Sequence, residues 1–423
     1  MYLKYRTTCR VCSSSALTKV IDLGKQYLQG SFAKPGVERP PMRQIPTTLL
    51  RCDPTKDENA CGLLQMAHTV PQPILYSCYW YSSGINQTMR DHLSSVANEA
   101  TDLVRGNELR VLDIGCNDGT LLKAYPESFT KFGVDPSDVA KQIKGDIRVV
   151  QDVFPSKKLE IETCGRPFDI ITSIAMFYDL EDPVAFSKAV KACLAQEGIW
   201  VLEMSYMPTM LKMNSYDTIC HEHLEYYSLT VIEEILKRSD LKLIKASLNN
   251  INGGSIRCYV THAQNSKFDT EESAEILERM GREEFELELD TDKPYVQFQE
   301  RINAHREGLM SLLMDIKRAG KTIHVYGAST KGNTILQWCN IDNSLVDFAA
   351  DRNPEKHGAR TLGTDIPIIS EEESRAKRPD YYLVLPWHFK GEFLTREKRT
   401  LETGTSLIFP LPNVEIVEGV RSR

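Results

Sequence analysis

The sequence predicts an α/β chain in which two Rossmann-like units follow a small cysteine-bearing module. Three observations carry this. Residues 110–122, RVLDIGCNDGTLL, read as a buried strand running through a glycine turn into a helix. Residues 321–334, KTIHVYGASTKGNT, repeat that junction two hundred residues later. Ahead of both stand Cys9 and Cys12, then Cys52 and Cys61.

Bulk properties fix the setting. A chain of 423 residues is too long for one core, so two or three domains are expected. No apolar run approaches the roughly 18 residues of a membrane span. The start, MYLKYRTTCR, has no apolar signal region, so a cytoplasmic location is expected. In that reducing setting the eleven cysteines are thiols or metal ligands. A net charge of −7 argues against nucleic acid as a partner. No membrane partner is expected either, and the chain reads as a monomer or weak oligomer.

In chain order, residues 1–70 are rich in strands and loops. A Cys-x2-Cys knuckle followed by two further cysteines supplies four thiolates to one tetrahedral zinc, although eight residues separate Cys52 from Cys61. So small a Pro-rich module would need that metal to fold. Residues 71–105 bring an aromatic cluster with Tyr79 and Tyr81, used for packing or facing a pocket between domains.

Residues 71–262 form the first Rossmann-like unit. At its glycine turn an acid, Asp113, precedes Gly115, and Asn117, Asp118 and Gly119 follow. A dinucleotide site prefers G-x-G-x-x-G. The version here suits S-adenosylmethionine (SAM), which has no pyrophosphate to hold. A second strand ends at Asp135, placed for two ribose hydroxyls, and a third at Asp152, near an adenine edge. The fourth, FDIITSIAMFYDLEDP, contributes Ser173 and Tyr178, and the fifth is GIWVLEMSY. Strands at this spacing place ligand at the C-terminal edge of a doubly wound sheet.

Just past the fifth strand lies YDTICHEHLEYYS, residues 216–228, whose crowded titratable groups demand partners if buried. It reads as a general base held by a neighbour or, alternatively, as a metal site. His-x-His lacks the i, i+4 spacing of helical zinc sites, which disfavours metal. Residues 229–244 then read as helix, 252–260 as a turn and extra strand, and the Glu-rich stretch 263–320 as a solvated helical connector.

The remainder of residues 263–423 forms the second Rossmann-like unit. Its turn at Lys331, Gly332, Asn333 and Thr334 suits a phosphate at a helix N-terminus. Asp351 ends the next strand, and His388 follows the strand after that.

Taken together, the Cys-x2-Cys module, the D-x-G-x-N-x-G turn, the Y-D-T-I-x-H-E-H-L-x-Y-x-S segment and the Y-G-A-x-x-K-G-N-T turn resemble the sugar-nucleotide C-methyltransferase family. The likeness covers nearly the whole chain. It implies a zinc-binding N-terminal module on Cys9, Cys12, Cys52 and Cys61, a SAM-binding Rossmann-like domain, and a C-terminal sugar-nucleotide domain. The implied substrate is a dTDP- or GDP-linked 4-keto-6-deoxysugar, methylated at C-3 through an enolate. The resemblance makes His223 the base and Glu222 its neighbour in the site. Tyr79 and Tyr81 would face the sugar, and Lys331 to Thr334 would hold phosphate. Glu222, Tyr178 and Tyr79 all remain candidates to orient or polarise the ketone. Cys220 stands where the family often has Tyr, and Phe177-Tyr178-Asp179 where it often has His. C-5 or O-methylation stays open. An rRNA methyltransferase or a zinc-ribbon regulator is disfavoured by the acidic balance and by the absence of a basic cluster beside Cys9 and Cys12.

Overall fold

The alternation of strands and glycine turns does produce a doubly wound sheet. The computed structural model describes residues 3–38, 42–75 and 83–420. Five parallel strands lie in the order Leu194–Ser205, Phe168–Ile174, Arg110–Ile114, Thr130–Val134, Ile147–Val150. Chain order reverses between Arg110–Ile114 and Phe168–Ile174, so a crevice opens there at the strand C-termini. Apolar runs make these strands, and Phe132, Phe168 and Trp200 are wholly buried between the helical layers.

An antiparallel pair, Ser255–His262 and Leu241–Asn249, extends the sheet beyond Leu194–Ser205. The last four residues of the helix expected over 229–244 are therefore strand. The helix Leu229–Lys237 ends before Asp240, whose φ of 51° turns the chain back. Partner strands then override helix propensity.

The second unit has its own sheet, in the order Ile368–Ser370, Phe348–Asp351, Ile323–Tyr326, Tyr381–Val384, Ser406–Phe409, Glu415–Val417. All but the last pair are parallel, and order reverses on either side of Ile323–Tyr326.

The charged connector is not simply solvated. Helix Lys293–Arg318 buries Tyr295, Phe298, Ile302, Leu309 and Leu313 in the core of the second unit. In helix Glu271–Glu286, Glu284 is buried and caps the next element over, accepting from the N–H and hydroxyl of Thr230 at 3.0 and 2.8 Å. A charge run hid an apolar stripe at helical spacing.

Three strands of the N-terminal module, Leu17–Gln26, Ile45–Cys52 and Leu64–Met66, pair antiparallel. A fourth, Glu225–Tyr226, comes from the histidine-rich segment and pairs with Leu64–Met66. That segment therefore closes the module's sheet. Among the described residues no helix is long and apolar enough to cross a membrane.

Candidate active site

One cavity of about 520 Å³ lies where the three parts meet. Asp113, Asp135 and Asp152 line it from the first sheet, Glu222 and His223 from the histidine-rich segment, and Lys331, Asp351 and His388 from the second unit. Gly30 and Phe32 reach it from the N-terminal module. The strand ends and turns singled out in sequence are thus brought together.

On the sheet side, Gly115 (φ 78°) and Asn117 (φ 48°) bend the chain so that Asp135 can grip the turn. Asp135 accepts the Asn117 N–H at 2.9 Å and the Ser137 N–H at 2.7 Å, which fixes its carboxylate toward the cavity. Burial pushes the Asp113 carboxyl up to about 7, while Thr172 donates to it at 2.6 Å. Asp152 accepts from Ser156 at 2.9 Å and from the Val153 N–H at 3.0 Å.

Three expected contacts on this side lie elsewhere. Ser173 is fully buried, its hydroxyl accepting from Trp200 Nε1 at 3.1 Å, so it serves the core. Asp118 does not line the cavity. It accepts from the Gly84 N–H at 2.6 Å and the Thr120 hydroxyl at 2.6 Å, binding residue 84 to the glycine turn. Gly119 (φ 73°) is also off the cavity, and a Cβ there would meet Ile143. Both shape the turn from behind.

The histidine-rich segment presents its two imidazoles to different places. His223 Nδ1 lies 2.7 Å from the Thr218 carbonyl, so Nδ1 carries the proton and donates, leaving the Nε2 lone pair free. Its ring packs on Tyr178 with centroids 4.2 Å apart. Burial and the Lys331 charge lower its pKa to about 3, so it stands neutral. His221 turns away, 3.3 Å from Thr47 Oγ1 and beside His68, and does not line the cavity. Burial pushes the Glu222 carboxyl up to about 7. The module's backbone passes so close that a Cβ on Gly30 would clash with Glu222 Oε1. Cys220 is fully buried off the cavity. Tyr79 and Tyr81 lie outside the described residues.

The second unit contributes less of its turn than the sequence led one to expect. Ser329, Thr330 and Lys331 line the cavity, but Gly332, Asn333 and Thr334 do not. Asn333 Nδ2 donates to the Gln29 carbonyl at 2.6 Å, and the Thr334 hydroxyl faces the Ile219 carbonyl at 3.5 Å. These residues lock helix Thr330–Trp338 onto the other two parts, which local sequence cannot reveal. Trp387 Nε1 adds a 2.9 Å bond to Asp217. Asp351 accepts from the Ala328 and Asn353 N–H groups, each at 2.8 Å.

Sequence reading missed three lining groups. Arg352 and Lys356 bring positive charge beside Asp351, in the run DRNPEK. Glu203, at the end of the fifth strand, faces the cavity and is held by His92 at 2.5 Å, Arg257 at 2.7 Å and Asn249 at 3.0 Å. An acid closing an otherwise apolar strand was the available signal.

At the far end of the N-terminal module, the Sγ atoms of Cys9, Cys12, Cys52 and Cys61 all lie within 4.8 Å of one another. Cys9–Cys61 is 3.5 Å and Cys12–Cys52 is 3.4 Å. Zinc–sulfur bonds of about 2.3 Å in a tetrahedron require sulfurs roughly 3.8 Å apart, so the cluster fits zinc. The Val11 N–H points to Cys9 Sγ at 3.4 Å, which favours a thiolate. The wide second spacing is absorbed by a loop folded on Asp53, which accepts from the Thr55 hydroxyl at 2.7 Å and from Arg51 at 2.9 Å.

Comparison with known proteins agrees with this layout. Three family models match in succession: "Putative zinc binding domain" over residues 9–76, "Methyltransferase domain" over 83–246 and "C-methyltransferase C-terminal domain" over 250–412. The chain is similar to C-methyltransferases from residue 9 to residue 412. It is 26% identical over 416 residues to the C-methyltransferase NovU of Streptomyces niveus, covering 97% of this chain and 96% of that protein. A SAM-dependent methyltransferase structure from Clostridium acetobutylicum aligns at 14% identity, over 41% of this chain and 92% of its own, with a TM-score of 0.33. The plantazolicin methyltransferase BpumL in complex with S-adenosylhomocysteine aligns at 12% identity, over 41% of this chain and 82% of its own, also at 0.33. The cofactors are SAM and a zinc ion at the four cysteines.

Proposed function

We propose that this SAM-dependent enzyme methylates C-3 of a nucleotide-linked 4-keto-6-deoxyhexose, as a step in branched-chain deoxysugar biosynthesis. The observation that carries the reading is His223: a neutral imidazole with Nδ1–H bound and Nε2 unprotonated, facing a cavity shared by both Rossmann-like units.

Methylating carbon requires a carbon nucleophile, and a C–H beside a ketone supplies one once its proton is removed. His223 Nε2 takes that proton, and the electron pair spreads onto the ketone oxygen. The low pKa of His223 keeps the imidazole unprotonated across the working range. Its basicity rises as negative charge develops opposite it, because charge pairs attract strongly where water is excluded. A positioned base of this kind contributes ~10²–10⁴-fold.

Bound SAM supplies the electrophilic methyl group. Asp135 would take its ribose hydroxyls, Asp152 would lie along the adenine, and Gly115, Asn117 and Asp113 would border the amino-acid end. Tyr178 braces the base. Arg352, Lys356, Ser329 and Thr330 would hold the nucleotide diphosphate of a dTDP- or GDP-linked sugar, at the far side of the cavity from the sheet. Binding energy spent there fixes the sugar for reaction at C-3.

The test is incubation with SAM and a panel of dTDP-, GDP- and UDP-linked 4-keto-6-deoxyhexoses in heavy water, followed by NMR and mass spectrometry. Deuterium at C-3 of the unmethylated sugar and a methyl group at C-3 of the product are expected. Methylation at C-5 or at oxygen, or no turnover with any of the panel, would overturn the reading. His223→Ala should abolish exchange and methylation while SAM affinity stays within about threefold.

A further inference from the structure

Base abstraction leaves a negative charge on the ketone oxygen, and a positively charged donor would stabilise it most. We infer that Lys331 is that group: its ammonium, at the floor of the cavity beside His223, donates a hydrogen bond to the enolate oxygen. The role rests on the proposed chemistry and replaces the phosphate contact that the sequence assigned to this lysine.

Its placement argues for this. Lys331 is the second residue of helix Thr330–Trp338, whose cap is Ser329. A cation in a first turn faces the positive end of the helix dipole, so it gains nothing for the helix. The backbone there is not a phosphate cradle, since the Gly332 N–H is spent on Ser329 Oγ at 3.0 Å and the Asn333 N–H on the Ser329 carbonyl at 2.8 Å.

Nζ donates to the Asn252 carbonyl at 2.5 Å, leaving further N–H donors for a ligand. That carbonyl belongs to a fixed turn: Asn252 has φ 56°, and a Cβ on Gly253 would strike the Trp387 ring. Trp387 in turn is bonded to Asp217. The ammonium is thus held by both Rossmann-like units and does not have to be found by the ligand.

The surroundings call for an anion. Lys331 lies close enough to hold down the pKa values of His223 and His388, and burial lowers its own. His388 Nδ1 is buried without a hydrogen-bond partner among the described residues, in the same cavity wall. Asp217 is the carboxylate that acts on the lysine, and burial pushes that carboxyl upward, so it is a weak counter-ion. Two neutral imidazoles and a half-buried cation describe a site prepared for negative charge that appears only during reaction.

The step balances without transfer to lysine. The C–H bond breaks, its proton goes to His223 Nε2, and its electron pair becomes the carbon–carbon double bond while the carbonyl pair moves to oxygen. Lys331 remains protonated throughout.

The experiment measures deuterium incorporation at the carbon beside the ketone, without SAM, for the wild-type chain, Lys331→Met and Lys331→Gln. Affinity for dTDP and GDP alone and for SAM is measured on the same samples. Loss of one oxyanion donor should slow exchange by ~10²–10³-fold, with nucleotide and SAM affinity within about threefold. Exchange within threefold of wild type in either variant would refute the role. So would loss of nucleotide affinity in step with exchange, which is the signature of a phosphate contact. Absence of exchange by the wild-type chain with every keto sugar would instead remove the substrate class on which the role depends.

Discussion

Removing Arg10 should loosen the histidine-rich segment, although Arg10 sits inside the zinc knuckle and does not line the cavity. Glu225, two residues beyond His223, is fully buried, and neither carboxylate oxygen has a hydrogen-bond partner among the described residues. Burial pushes its carboxyl up and Arg10, whose Nε lies 3.6 Å away, pulls it back. Arg10 also donates to the Met66 carbonyl at 2.8 Å and to Thr69 Oγ1 at 2.9 Å, on the strand region that pairs with Glu225–Tyr226. Breaking a buried pair by deleting one partner costs about 3–5 kcal/mol, whereas replacing both by apolar groups is close to neutral. Arg10→Met should therefore speed hydrogen exchange in peptides covering 219–227 by roughly 10²-fold to several thousandfold, at about 1.4 kcal/mol per decade. Arg10→Met with Glu225→Leu should recover most of that protection. The assay is native-state exchange by mass spectrometry, with a peptide from the second unit as internal reference. An effect of Arg10→Met below about tenfold, or a double variant no better protected than the single, would refute the argument.

Other expectations follow from the same geometry. Gently purified protein should hold about one zinc per chain by elemental analysis, as a four-thiolate site requires, and chelation should deprotect the same 219–227 peptides. Asp135→Ala should weaken SAM at least ~10-fold by calorimetry, since each hydrogen bond to a charged acceptor is worth about 1.5–3 kcal/mol; unchanged affinity would place the ribose elsewhere. Glu222, raised to about 7 by burial, is a neutral acid below that pH and an anion above it. An anion there repels an anionic nucleotide sugar, so kcat/KM should fall as pH rises through about 7, and Glu222→Gln should lack that limb. The same raised pKa means Glu222 contributes stability that is complete below about pH 4.5 and is lost as pH rises to about 7. Thermal melts of wild type and Glu222→Gln across that window check the sign.

What could be read from the sequence was whatever one short segment determines. Asp113, Gly115 and Asp135 follow from strand, turn and next strand, and the parallel sheet delivers them to one edge without help from distant residues. Ser173 failed because alternation along a strand does not say which face meets a cavity and which meets Trp200. Asn333 and Thr334 failed for a different reason. A polar side chain in a helix's first turn looks the same in sequence whether it meets a phosphate or another domain's carbonyl, and here Gln29 and Ile219 supply the carbonyls. Glu203 escaped because its meaning comes from His92, Asn249 and Arg257, three partners from three separate elements.

The histidine-rich segment explains why the chain is built in three parts. Glu225–Tyr226 completes the sheet of the zinc module, Asp217 is tied to Trp387 of the second unit, and the Leu224 N–H donates to the Tyr178 carbonyl of the SAM-side unit at 2.7 Å. His223 lies between these anchors, with its own proton fixed on Thr218 of the same segment. A base held in a single loop would have rotational freedom to lose at every turnover. Here that loss is met when the chain folds, so the imidazole is already oriented when a ligand arrives. On this argument zinc acts on the proposed base through Arg10 and Glu225, without lining the cavity, and the orientation of one imidazole depends on all three parts being docked together.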